Sequence, residues 1–166
     1  MPGRRAALRI VLALVAVGLL TTGLLSRAPA GARAAPPLPH QVLHGHAVTI
    51  ADLHGHPAVI AFVASWCTPC REEAPALETF ASSGAGRGRL VAVDYADYGD
   101  IQALIERYHW TFPVLADQSG STGDAYGVLH LPIAVIINSA GRIVARQSGA
   151  QTVASLARAL HAAGPG

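Results

Sequence analysis

Beyond residue 57 the chain carries four apolar segments of strand length: Ala58–Ala64, Leu90–Asp94, Pro113–Leu115 and Ile133–Ile137. The first holds no polar residue at all, the pattern of a central strand covered on both faces. Between these segments the apolar positions change to helical spacing. Ile101, Leu104, Ile105 and Tyr108 predict a helix over Ile101–His109, and Val153–Ala162 a closing helix. Cys67 to about Ser82 is also helix-compatible, with Pro75 as a kink inside it. Val42–Leu43 and Ala47–Ile50 are short strand candidates around the turn His44-Gly45-His46. Asp52-Leu53 then leads into a second turn, His54–Pro57. A loop from Asp117 runs into a short helical turn ending near Tyr126-Gly127. Arg142–Arg146 is the hairpin partner of Ile133–Ile137 across Asn138–Gly141. The order predicts an α/β fold, a central mixed β-sheet flanked by helices on both faces.

The N-terminal pattern is different. Arg4, Arg5 and Arg9 precede an uncharged run from Ile10 to Leu25, and small residues and prolines follow. That is the layout of an export signal, and two fates stay open: cleavage, or retention as a membrane anchor. Either sends the remainder across the membrane. Ser26–Pro39, rich in Ala, Pro and Arg, reads as linker. The chain thus divides into residues 1–35, signal peptide or signal anchor with the start of a linker, and residues 36–166, one domain.

Charge changes meaning once the leader is set apart. All 12 basic residues are arginine, against 10 acidic ones. Five of those arginines precede Ala35, which leaves a net charge of −3 from Pro36 onward. The basic balance belongs to the leader, so it is no argument for a nucleic-acid partner.

Cys67 and Cys70 are the chain's two cysteines, in Trp66-Cys67-Thr68-Pro69-Cys70. A disulfide closing so short a loop contributes little to stability, so the pair is read as a reversible dithiol/disulfide couple. A strand that hands Cys67 to a helix N-terminus would direct backbone N–H groups and the positive dipole end at its sulfur, favouring thiolate.

The segment Phe62–Pro75 resembles the active-site signature of the TlpA/ResA-like branch of the thioredoxin family, exported and often membrane-anchored thiol–disulfide oxidoreductases. Leu90–Asp94, Thr111–Asp117 and Tyr126–Pro132 match that branch in order. The resemblance implies a thioredoxin-like fold with an N-terminal β extension and an inserted helix. It implies Cys67 as the more exposed nucleophile and Cys70 as the buried resolving thiol. Trp66 would shield the sulfurs, Thr68 and Pro69 would tune the couple, and Leu131-Pro132 would be a cis bond that leaves the Leu131 backbone free to pair with a bound peptide. The expected activity is reduction of protein disulfides, for example in cytochrome c maturation, with protein thiols or disulfides as substrates and a membrane-embedded thiol donor as partner. No cofactor beyond the Cys67–Cys70 disulfide is expected. The alternatives are a disulfide-forming oxidant and a copper chaperone using the cysteines and His130. A thiol peroxidase fits the fold but not the Ala-Ser-Trp approach to Cys67.

Departures from the pattern matter too. The carboxylate that thioredoxins place six residues before the first cysteine is here Ala61, which leaves Asp94 and Asp97 as candidate proton acceptors. His130 stands where glycine is common and is a candidate for favouring the Cys67 thiolate. Glu72 and Glu73 are read as partners of the helix dipole, and Tyr108 and Trp110 as core or rim. The His-Gly-His turns (His44, His46, His54, His56) are better read as turns than as a metal site, and no metal ligand is assigned.

Overall fold

The structure is a computed structural model that describes residues 32–164. Residues 1–31, with the apolar run Ile10–Leu25, lie outside the described residues, and among those described no helix is long and apolar enough to cross a membrane.

Seven strands form one sheet: β1 (Arg33–Ala34), β2 (Val42–His44), β3 (Ala58–Val63), β4 (Leu90–Tyr95), β5 (Val114–Asp117), β6 (Ile133–Ile137) and β7 (Arg142–Ser148). Their order is β1-β7-β6-β3-β4-β5-β2. β3, β4 and β5 run parallel, and β6 joins β3 antiparallel on the other side. Every residue of β3 is buried, as its unbroken apolar run predicts. Its side chains divide by parity. Val59, Ala61 and Val63 face α1 (Thr68–Ser82), α2 (Ile101–Tyr108) and α4 (Val153–Ala162). Ala58, Ile60 and Phe62 face the opposite side, where Tyr126 of α3 (Ser121–Tyr126) and Leu53 of a short 3-10 turn complete the cover. The mixed sheet with helices on both faces is therefore the observed architecture.

Two local expectations are corrected. Ala47–Ile50 is not a strand. Asp52 accepts hydrogen bonds from the Thr49 backbone N–H (2.8 Å) and hydroxyl (2.6 Å), which close the chain into the 3-10 turn Ala51–Leu53. A local side-chain acceptor has displaced sheet pairing there. Arg33–Ala34, expected within a linker, pairs antiparallel with Arg142–Ile143. Its arginine side chain reaches the Ala125 carbonyl, and Arg142 reaches that of Ala32.

Two polar contacts tie α1 to the loop that follows α2. The Trp110 indole N–H donates to the Ala74 carbonyl (3.1 Å), and Glu78 accepts from the Thr111 backbone N–H (2.7 Å). Both cross from the loop after α2, so the helix that carries the cysteines is tied down near its proline, Pro75, which lies inside it.

Candidate active site

β3 ends at Val63, and after Ala64, Ser65 and Trp66 the chain enters α1 with Cys67 as its N-cap. Pro69 occupies the first turn, where a missing N–H costs nothing. The Cys67 sulfur accepts the Cys70 backbone N–H at 3.2 Å. The sulfur therefore sits where the orphan N–H groups and positive end of a 15-residue helix converge. Cys67 and Cys70 are joined as a disulfide with Cα atoms 5.2 Å apart. In this oxidised form both are buried, Cys67 at 5% and Cys70 at 1% exposure.

Three elements fix the loop around the pair. Arg71 folds back over the motif, its guanidinium donating to the Ser65 carbonyl and to the Thr68 hydroxyl oxygen, both at 2.9 Å. Asp97 accepts from the Ser65 backbone N–H (2.7 Å), the Ser65 hydroxyl (2.9 Å) and the Gly99 backbone N–H (2.7 Å). Gly99 presses so close that a Cβ there would collide with the Ser65 hydroxyl. The loop clipped in this way carries Tyr98, whose ring stacks on Trp66 at 5.4 Å between centroids and 3° between planes. Trp66 is 40% exposed and Tyr98 82%, so the stack is an open aromatic shelf attached to the residue preceding Cys67.

The Leu131–Pro132 peptide bond is cis. Pro132 is buried, and Leu131 packs against the same apolar cluster as the two cysteines. His130 is exposed and forms no side-chain hydrogen bond among the described residues. The Pro132 carbonyl accepts the Gly149 N–H (2.9 Å), and two residues further the Gln151 N–H donates to Glu73 (2.7 Å). One short segment therefore touches both the cis-proline loop and α1.

Glu73 is the functional candidate that pairwise sequence reading passed over. It is 3% exposed, one helical turn after Cys70 on the same buried face. Burial pushes its carboxyl up to about 7, against the pull of the Gln151 N–H. The signal was present: positions 70, 73, 74 and 77 form the inward stripe of α1, and a glutamate stands on it.

Asp94 and Asp97 are brought together. Asp94, 2% exposed, lies at the end of β4 beside Val63, on the face that carries α1. Burial, with the Asp97 carboxylate alongside, raises it to about 8, and its Oδ1 is buried without a hydrogen-bond partner. Asp97 goes the other way. Burial raises it, but the donors from Ser65 and Gly99 outweigh that and hold it below the usual carboxylate range. At neutral pH the pair therefore carries one charge, on Asp97.

Among the described residues, no group of three His, Cys, Asp or Glu side chains comes together to hold a metal ion. Of the His-Gly-His turns, His44 lies in β2, and His54 packs against Gly141, where a Cβ would strike its ring.

A mixed sheet whose central strand delivers a CxxC disulfide to a helix N-terminus, with the leucine of a cis Leu-Pro bond packed on the same cluster, defines a thioredoxin-like protein with a dithiol site. The AhpC/TSA family model matches residues 32–146, and the chain belongs to that family. It is 32% identical over 113 residues to the thioredoxin-like protein YneN of Bacillus subtilis, covering 66% of each chain. It is 30% identical over 112 residues to the thiol-disulfide oxidoreductase ResA of Halalkalibacterium halodurans, covering 66% of this chain and 64% of that one. These matches span about two thirds of the relatives' length. The crystal structure of a secreted disulfide oxidoreductase of Mycobacterium tuberculosis superposes with a TM-score of 0.61 at 26% identity, covering 75% of this chain and 95% of that one. The ResA-like branch indicated by Phe62–Pro75 is thus the one its relatives occupy.

Proposed function

We propose that this protein is an extracytoplasmic thiol–disulfide oxidoreductase that reduces disulfides in protein substrates. The observation that carries the reading is the Cys67–Cys70 disulfide at the N-terminus of α1, its outer sulfur already facing a helix N–H. In the reduced protein the same N–H and dipole stabilise a Cys67 thiolate. That thiolate attacks one sulfur of the substrate disulfide. A Cys67–substrate bond forms, and the second substrate sulfur leaves as thiolate. Cys70 then gives up its proton, and its sulfur attacks the Cys67 sulfur. The internal disulfide forms and the substrate departs with both electrons.

Glu73 is the proton acceptor we assign to Cys70. It shares the helix face with that thiol, and its carboxyl titrates near neutrality. The neutral Asp94 and charged Asp97 are placed in support: Asp97 holds Ser65, and with it the approach to Trp66 and Cys67. Trp66 shields the sulfurs, Thr68 and Pro69 set the couple's potential, and the Leu131 backbone pairs with the bound peptide. His130 lines that loop.

The N-terminal pattern supports residues 1–35 as a signal peptide or anchor and residues 36–166 as the exported domain. A reductant in that compartment needs recharging, for which a membrane-embedded thiol donor is the partner proposed, and apocytochrome c cysteines are one substrate class. The deciding experiment pairs Cys70→Ser, expected to trap mixed disulfides through Cys67, with Cys67→Ser, expected to be inert. Equilibration of the couple against a thiol buffer then fixes direction. A value of roughly −270 mV or below supports the reductant, and one near roughly −120 mV makes the protein an oxidant.

A further inference from the structure

Thr68, Arg71, Glu72 and Pro75 repeat at i, i+3, i+4 and i+7, so they form one exposed stripe of α1 that starts inside the CxxC motif. Leu104, Arg107 and Tyr108 form the matching stripe of α2. The seam between them is an open groove of about 350 Å³. Two guanidinium groups line it. Arg71 is held in place by its bonds to the Ser65 carbonyl and the Thr68 hydroxyl. Arg107 lies over the Tyr108 ring, 5.5 Å from its centroid. Glu72 lines the same groove, so the seam holds two guanidinium groups and one carboxylate. From Pro36 onward the chain is net negative, so two arginines in a seam that starts at the CxxC motif are a local feature rather than part of a basic surface.

We propose that this seam is a substrate-selecting site that receives an acidic side chain of the polypeptide whose disulfide is being exchanged. A guanidinium already held by neighbouring bonds, as Arg71 is, or laid on a ring, as Arg107 is, matches a carboxylate with reduced ordering cost. The stripe from Thr68 to Pro75 is about 10 Å long at 1.5 Å per residue. An extended chain covers that in about three residues, so the acidic residue lies within about three positions of the substrate cysteine. This rests on the thiol–disulfide reading above and names the kind of substrate it favours.

The test uses the reduced full-length protein and three peptides, each with one cysteine capped by thionitrobenzoate. The peptides differ only in the flanking residues: Asp/Glu, Ser/Ala, or Lys. Release of thionitrobenzoate is followed by absorbance. The wild type is expected to prefer the acidic peptide to the neutral one by about 3- to 10-fold in kcat/KM, mainly through KM, with the basic peptide slowest. The preference should shrink as salt is raised. In Arg107→Gln the acidic-to-neutral ratio should fall by about half or more, Arg71 keeping the remainder, whereas Arg107→Lys should keep most of it. Equal rates for the acidic and neutral peptides in the wild type, or an unchanged ratio in Arg107→Gln, would overturn the proposal. Failure of the wild type to release the chromophore from any peptide would overturn the oxidoreductase reading beneath it, a result distinct from equal rates.

Discussion

Asp94→Asn isolates the energetic consequence of the buried carboxyl pair. In the native protein Asp94 has its pKa raised from 3.8 to about 8, while in the unfolded chain it returns to the ordinary value. Between those limits the native state keeps a proton that the unfolded state has released. By linkage, stability then falls as pH rises, by about 1.4 kcal/mol per pH unit for one proton. Full protection is present below the unfolded value, and the loss levels off above about 8, where native Asp94 also ionises. Asparagine keeps the shape and offers Asp97 a donor, as the protonated Asp94 does, yet it has no proton to lose. Its stability relative to wild type should therefore rise by about 3 kcal/mol between pH 5.5 and pH 7.5. Glu73 also has a raised pKa, but both proteins share it, so the difference cancels its slope. Guanidinium unfolding of the oxidised proteins, followed by tryptophan fluorescence across that range, measures the difference directly. Parallel stability curves for the two proteins would show that Asp94 is ionised in the native state, and the argument for a neutral Asp94 beside a charged Asp97 would fail.

Glu73→Gln should remove the rising limb of the exchange rate near pH 7, with a loss of about 100-fold at pH 8 in single-turnover resolution of a mixed disulfide. An unchanged pH profile would take the proton acceptor elsewhere. Gly99→Ala forces a Cβ into the Ser65 hydroxyl and should cost about 1–3 kcal/mol in thermal unfolding, while Gly84→Ala, which meets open space, should be near neutral. Trp110→Phe deletes the indole donor to the Ala74 carbonyl and should cost about 1–3 kcal/mol in denaturant unfolding.

The strands that build the sheet were legible because burial on both faces writes a continuous apolar run, and Ala58–Val63 and Ile133–Ile137 fall on such runs. What failed was decided by single polar contacts. Ala47–Ile50 has strand-like composition, but the Thr49–Asp52 contact bends it. Arg33–Ala34 looks like linker because two residues carry no period, and only the β7 edge gives them a partner. The cysteine pair was legible from spacing, and Asp94 and Asp97 from their place after the second core strand. Tyr98 was not. Ala96–Asp100 reads as a polar turn, and its role depends on Asp97 reaching across 32 positions to Ser65.

The row Ala61, Ala92 and Ala134 explains where the chain's proton chemistry had to go. The three lie side by side on β3, β4 and β6, with Ala61 paired to both neighbours. All three face α1, so methyl groups occupy the level beneath the helix where a carboxylate six residues before Cys67 would project. A thiol buried at 1% exposure still has to lose its proton before it can attack, and methyl groups cannot accept it. The carboxyls that are buried on this face, among the described residues, are Glu73 on the helix and Asp94 at the end of β4. Both have been raised by burial into the neutral range. Asp94 is already protonated at neutral pH, so Glu73, at about 7, is the one matched to a thiol at physiological pH, whereas an ordinary exposed carboxylate would be too weak a base to take its proton. Moving the carboxyl from the centre of the sheet to the helix thus keeps the acceptor on the element that carries Cys70, and leaves the sheet beneath it apolar.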